Sequence, residues 1–225
     1  MERPNLLPAG PGSVSGRFGL TSEDIRRRFA DLALSPDHGR AGRGDHELNP
    51  GTAPATALRA AAVLVPLIDR AEGLSILLTR RTEHLSRHPG QIAFPGGQVE
   101  DDDEDEIAAA LRETEEEIGL SRAHVEPLGR LDRYVTRTGF TVTPIVGIVH
   151  PPFELALDAH EVADAFEVPL DFILDPANRE RRSGEFQGIL RHYYVFPFGE
   201  RFIWGATAGM LVNLADTLAD CVRPH

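Results

Sequence analysis

The chain has 225 residues, 41% of them apolar and 26% charged, which is ordinary globular usage with room for one substantial domain and a tail, and which excludes wholesale disorder. One cysteine, Cys221, excludes a disulfide framework and a multi-cysteine zinc site, and the longest apolar run, Ala60–Ile68, falls far short of the ~20 residues of a spanning helix. The net charge of −12 is local: residues 98–117 hold eleven acids against one base, Arg112, so the rest of the chain is nearly neutral, with no basic patch to draw in nucleic acid.

In chain order, residues 1–57 read as an N-terminal extension, one short helix on flexible flanks. Thr21 caps that helix, acids fill its first turn, and Ile25, Phe29 and Leu32 follow at helical spacing. The main domain, 58–225, opens with a buried strand at Ala61–Ile68, a turn at Asp69–Gly73 and a hairpin partner at Leu74–Thr79. A short strand at Gln91–Phe94 is stopped by Pro95-Gly96-Gly97. From Asp103 to Ile118 the pattern is helical, with Ile107, Leu111, Thr114 and Ile118 as its stripe and Gly119 as its stop. Strands follow at Leu128–Val135 and Phe140–Val149, then a Pro-led helix at Pro169–Leu174. Strands at Gly188–Phe198 and Arg201–Trp204 and a helix at Ala206–Leu218 complete the domain. Strands on both sides of a central helix give an α/β sandwich.

The central helix carries the chemistry. Glu113, Glu116 and Glu117 stand at i, i+3 and i+4, so their carboxylates converge on one surface. Like charges at these spacings destabilise a helix by roughly 0.2–0.5 kcal/mol per pair. They also occupy the last turn, where the helix dipole favours cations. A divalent cation would reverse both penalties, and clustered carboxylates are suitable oxygen ligands for Mg²⁺ or Mn²⁺. The alternative is a solvated acidic face. For Asp101–Glu106, at the helix start, that solvated reading is preferred, with Asp103 or Glu104 as outer ligands. The upstream Gly96-Gly97 suits a backbone that approaches a metal-bound phosphate, or a plain turn.

Gly96-Gly97 through Arg112-Glu113-Thr114-Glu115-Glu116-Glu117-Ile118-Gly119-Leu120 resembles the Nudix hydrolase box. The spacing from Arg112 back to Gly97 is one residue longer than the general pattern, which is a feature of the coenzyme A pyrophosphatase-like branch. Thr114 stands where an aliphatic residue is usual. The segment Leu77–Gly97, with Arg80-Arg81-Thr82, His88-Pro89-Gly90-Gln91 and Phe94-Pro95-Gly96-Gly97, is similar to that branch throughout, with Thr82 for its usual Ser. Thr138–Pro144 and Ile203–Ala208 also look like the branch, and the whole resemblance covers about Leu58 to Leu218.

The resemblance implies a Nudix-type α/β/α sandwich with a mixed β-sheet and a loop–helix–loop catalytic box. It implies hydrolysis of coenzyme A to 3′,5′-ADP and 4′-phosphopantetheine with Mg²⁺ or Mn²⁺ held by Glu113, Glu116 and Glu117. Arg112 would orient a box glutamate, and Gly96 and Gly97 would bear on metal and phosphate. The general base is Glu113, Glu116 or a later-loop glutamate, for which Glu161 is the candidate, with a surface-loop acid as its alternative. Arg81, His88 and Gln91 are the expected substrate contacts, with a core or supporting histidine as the alternative for His88; Arg80 and Arg87 join Arg81 as candidates for a nucleotide phosphate, with plain surface arginines as the alternative. Trp204 reads as core rather than as a stacking platform. The partner is a small nucleotide-containing molecule, with a homodimer also in view. The first twenty residues lack an apolar leader, and a cytoplasmic location with no membrane partner is expected. Rival readings are a Nudix enzyme for ADP-ribose or NADH, a non-catalytic Nudix-fold binding module, and an acidic protein-interaction segment.

Overall fold

A computed structural model describes residues 18–34, 42–51, 57–85, 88–186 and 188–221. The stretch 8–15 of the expected N-terminal flank and Arg87 lie outside the described residues. The elements are α1 (Ser22–Ala33), β1 (Gly42–Gly44), α2 (Asp45–Leu48), β2 (Arg59–Arg70), β3 (Gly73–Arg81), β4 (Ile92–Ala93), β5 (Gly96–Gln98) and α3 (Glu106–Ile118). They continue with β6 (Val125–Arg130), β7 (Arg133–Val135), β8 (Phe140–Val149), β9 (Val162–Pro169), α4 (Leu170–Leu174), β10 (Glu180–Phe186), β11 (Ile189–Phe198), β12 (Arg201–Trp204) and α5 (Gly205–Leu218).

β2 is the spine of a mixed sheet ordered β1-β7-β8-β2-β3-β4, with β5 also pairing β2, β6 pairing β8 and β9 pairing β3. It runs parallel to β8 from Arg59↔Phe140 to Ile68↔Val149. A strand covered on both faces must be apolar at nearly every position, which is why 61–68 reads as a continuous hydrophobic run. The faces nonetheless alternate. Ala62, Leu64 and Ile68, with Leu77, Ile145 and Val149, lie under Ala109, Ala110 and Ile118 of α3. Ala61, Val65 and Leu67, with Ile76, Leu78, Val146 and Ile148, join Ile25 and Phe29 of α1 and Leu211, Leu214 and Leu218 of α5 in the opposite core. Pro66 stands where β2 leaves its partner β5, last paired at Val63, and before it meets β3 at Leu67.

Four expectations are corrected. The strand before Pro95 does end, at Ala93, but Gly96-Gly97 is more than a stop and begins a further strand: β5 pairs antiparallel with Ala61–Val63. A Cβ at Gly96 (φ 143) would run into the Ala62 carbonyl, so only glycine permits this close approach. The single strand expected at 128–135 is two, and β6 slips register on β8 between Pro127 and Gly129. The helix expected from Asp103 starts at Glu106, because Asp105 is the residue whose carboxylate accepts from the Ile107 and Ala108 amides. Strands β9 and β10 are additional. β9 carries Asp164 and Glu167, but Arg201 and Arg70 pair with them and make these charges tolerable in a strand. In β10, residues 181–183 and 185 are exposed.

The described parts of 1–57 share the sheet and core of the main domain. Thr21 and Asp24 form a capping box, Ile25 and Phe29 are buried, and Arg26 grips Glu126 on β6. Arg28 donates to the Thr217 carbonyl and pairs with Asp220 at the far end of the chain. β1 adds a parallel strand beside β7.

Gly119 ends α3 at φ 68, with its amide donating to the Glu115 carbonyl. A Cβ there would lie 2.8 Å from the Ala156 Cβ and 2.9 Å from its nitrogen, whereas at Gly199 (φ 57) it would meet open space. In urea denaturation, Gly199→Ala should cost about 1 kcal/mol from backbone conformation alone, and Gly119→Ala at least about 1 kcal/mol more.

Candidate active site

The buried face of α3 includes Ala110, Thr114, Glu117 and Ile118. Thr114 is fully enclosed, and its hydroxyl donates to the Ala110 carbonyl at 2.6 Å, which is how a polar residue fills an aliphatic position. Glu117 shares this face and is 6% exposed. The three glutamates therefore do not share one solvated surface, as their spacing alone predicts. Exposure grades along the helix from buried Glu117 through Glu113 to Glu116, whose side chain is 62% exposed.

Two arginines sit among these acids. Arg112 is clamped by Asp103, with Nε–Oδ1 and Nη2–Oδ2 both at 2.9 Å, and Nη2 also donates to the Gln98 carbonyl. This leaves Nη1 to donate to Glu113 at 3.1 Å and to Glu116 at 3.2 Å. Asp103 is itself held by the Glu100 amide at 2.8 Å. It serves the site as the anchor of Arg112, a role distinct from the outer metal ligand considered for it. Arg81, at the end of β3, lies 3.7 Å from Glu117 and 3.6 Å from Glu161. The Thr82 hydroxyl accounts for Glu161 being there. It donates to the His160 carbonyl while the Thr82 amide donates to the Glu161 carbonyl, pinning the loop beside Arg81.

The glycines complete the wall. The Gly96 amide donates to Glu117 at 3.1 Å. A Cβ on Gly97 would strike the Glu113 carboxylate, so this glycine is the cradle into which Glu113 fits. The structure thus brings together Arg81, Gly96, Gly97, Arg112, Glu113, Glu116, Glu117 and Glu161. His88 and Gln91 pair with each other on an exposed loop, Nδ1 to Oε1 at 2.8 Å, with His88 at φ 55. Their link to the site is the Arg81 amide, which donates to the Gln91 carbonyl. Trp204, read as core, is 40% exposed and packs edge-on against Tyr193. It stands on the face of β12 opposite to buried Ile203, so strand alternation turns it outward.

Burial raises Glu117 to about 7; the charges of Glu161 and Glu113 add to this, and the Gly96 amide and Arg81 only partly offset it. Burial also raises Glu113, against the opposing pull of Arg112. Asp103 is lowered to about 2, chiefly by its hydrogen bonds from Arg112. Among the described residues no three His, Cys, Asp or Glu side chains are already gathered around a common point. The donor set still fits a hard divalent cation. It consists of carboxylate oxygens, mutually repelling, partly desolvated and already attended by positive guanidinium groups.

Because the folded Glu117 binds its proton more tightly than an unfolded glutamate, its contribution to stability is full below about pH 4.5 and is lost as pH rises towards 7. In chelator-treated protein at pH 8, Glu117→Gln should therefore be more stable than wild type, by on the order of 1–3 kcal/mol in urea denaturation. Asp103→Asn should release Arg112 and lower kcat by about 10- to 100-fold, with an unchanged circular dichroism spectrum.

The NUDIX domain model matches residues 58–194. The chain is 40% identical over 161 residues to the uncharacterized Nudix hydrolase NudL of Yersinia pestis (strain Pestoides F), covering 72% of this chain and 80% of that one. The figures are the same for NudL of Yersinia pseudotuberculosis serotype O:1b. The crystal structure of RenU, a Nudix hydrolase from M. smegmatis, superposes with a TM-score of 0.52 at 18% identity, over 78% of this chain and 95% of that one, a likeness of fold. With the box acids and their arginines assembled on α3 and the domain model spanning most of the chain, this protein belongs to the Nudix hydrolase family.

Proposed function

We propose that this Nudix hydrolase cleaves the pyrophosphate linkage of coenzyme A or its derivatives, releasing 3′,5′-ADP and 4′-phosphopantetheine or its acyl form. The observation that carries the reading is the junction of two segments. The residues 77–97 that resemble the coenzyme A branch run directly, through Arg81 and Gly96-Gly97, onto the carboxylates of α3.

Glu113, Glu116 and Glu117 would hold Mg²⁺ or Mn²⁺. When bound, the cation supplies charge neutralisation at the two phosphates and makes water a better nucleophile at neutral pH. Arg112, locked by Asp103, fixes the directions in which Glu113 and Glu116 present their oxygens. Glu161 is half-exposed and takes the proton of the attacking water, a role that suits an acid on a loop rather than on the metal-holding helix. Gly96 and Gly97 bear on the metal through the carboxylates they seat, the Gly96 amide holding Glu117 and Gly97 making room for Glu113, while Arg81, His88 and Gln91 meet the nucleotide side of the substrate. The partly buried carboxylates repel an anionic substrate until the cation is in place, so chemistry depends on loading.

Glu113→Gln and Glu117→Gln, assayed on coenzyme A with Mg²⁺ and Mn²⁺, should each lower kcat/KM by about 10²- to 10⁴-fold, and Glu161→Gln by about 10²-fold. Near wild-type turnover in the first two would remove the metal assignment. Coenzyme A should also exceed ADP-ribose and NADH in kcat/KM; a wide margin for ADP-ribose or NADH would leave the family and replace the substrate.

A further inference from the structure

The two arginines in the acidic site are held very differently. Arg112 is fixed by the two hydrogen bonds it donates to Asp103 and the one it donates to the Gln98 carbonyl, and is thereby part of the scaffold. Arg81 meets both of its acids beyond hydrogen-bond length, at 3.7 Å and 3.6 Å, and its side chain keeps 27% of its surface in solvent. It also reaches from β3 across to α3 and to the loop before β9, so its charge stands between Glu117 and Glu161 rather than behind either.

We propose that Arg81 is an internal counter-cation that stands in for the metal and is exchanged for it. In the metal-free protein its guanidinium offsets part of the charge of Glu117 and Glu161. Once Glu117, with Glu113 and Glu116, holds a divalent cation, it no longer needs the arginine's charge and Arg81 is released. The displaced guanidinium, anchored at the end of β3, then serves as a phosphate contact, since a planar fork suits phosphate oxygens as well as carboxylates. One side chain thus keeps the empty site stable and offers a strong anion contact only once the site is loaded. The inference rests on the assignment of Glu117 to metal binding. It goes beyond that assignment by giving Arg81 opposite effects on the two ligands.

The test is isothermal titration of Mn²⁺ alone into wild type and Arg81→Gln, followed by kinetics on whichever substrate is turned over best. Removing a competing cation should tighten Mn²⁺ binding by about three- to tenfold. The same substitution should raise KM by more than it lowers kcat, and should enlarge the Mn²⁺-induced rise in Tm. A merely structural arginine would weaken both ligands together. Should Arg81→Gln not fold, Arg81→Lys should shift both quantities in the same directions and by less, because an ammonium is a point charge that cannot span two carboxylates. Unchanged or weaker Mn²⁺ affinity in the variant, with wild type binding normally, overturns this inference alone. An absence of Mn²⁺ binding by wild type overturns the metal assignment beneath it.

Discussion

The carboxylate of Glu117, buried between a helix and a strand with the Gly96 amide as its donor, is the constraint around which the site is organised. An acid in that position is costly, and its neighbours compound the cost: Glu113 and Glu161 add like charge from either side. The surrounding devices answer this one difficulty. The strand β5 brings the amide, Arg81 brings a charge, and Arg112 restrains the adjacent acids. Local rules are broken here together.

The sheet explains how such a site is kept rigid. β2 pairs with β8 along ten residue pairs on one side and with β5 and then β3 on the other. Its even-numbered residues Ala62, Leu64 and Ile68 support α3, so the helix that carries the acids lies on a strand paired along both edges. The close contact of Gly96 with β2 fixes the amide that Glu117 needs. The C-terminal carbonyls of α3 are met by the Ala156 and Asp158 amides, which ties the loop leading to Glu161 to the same helix. Position and charge are therefore set by one continuous piece of structure.

Much of this was legible in the residues, for identifiable reasons. The long apolar run of β2, the 3.6-residue period of α3 with its terminal Gly119, and the strand at 140–149 all announce themselves through local pattern. The site was legible as a set, because Gly96-Gly97, Arg112 and the three glutamates sit close in sequence and match a known box. What was not legible depends on contacts across the fold. β9 hides its strand character behind Asp164 and Glu167, whose arginine partners are remote in sequence. The anchoring of Arg112 by Asp103 crosses a turn with no fixed period; the one hint was a single base among eleven acids. The burial of Glu117 follows from how far α3 rolls onto the sheet, which spacing along a helix does not specify. Trp204 was misread because an aromatic residue next to a buried isoleucine looks internal until strand alternation is applied.

The grip of α1 on the end of α5, through Arg28 with Thr217 and Asp220, has a consequence for how the molecule is made. A ribosome delivers Arg28 of α1 189 residues before its partner Thr217. Until α5 is made, Ile25 and Phe29 lack Leu214 and Leu218 of their buried cluster, and the nascent chain carries that part of its greasy stripe open.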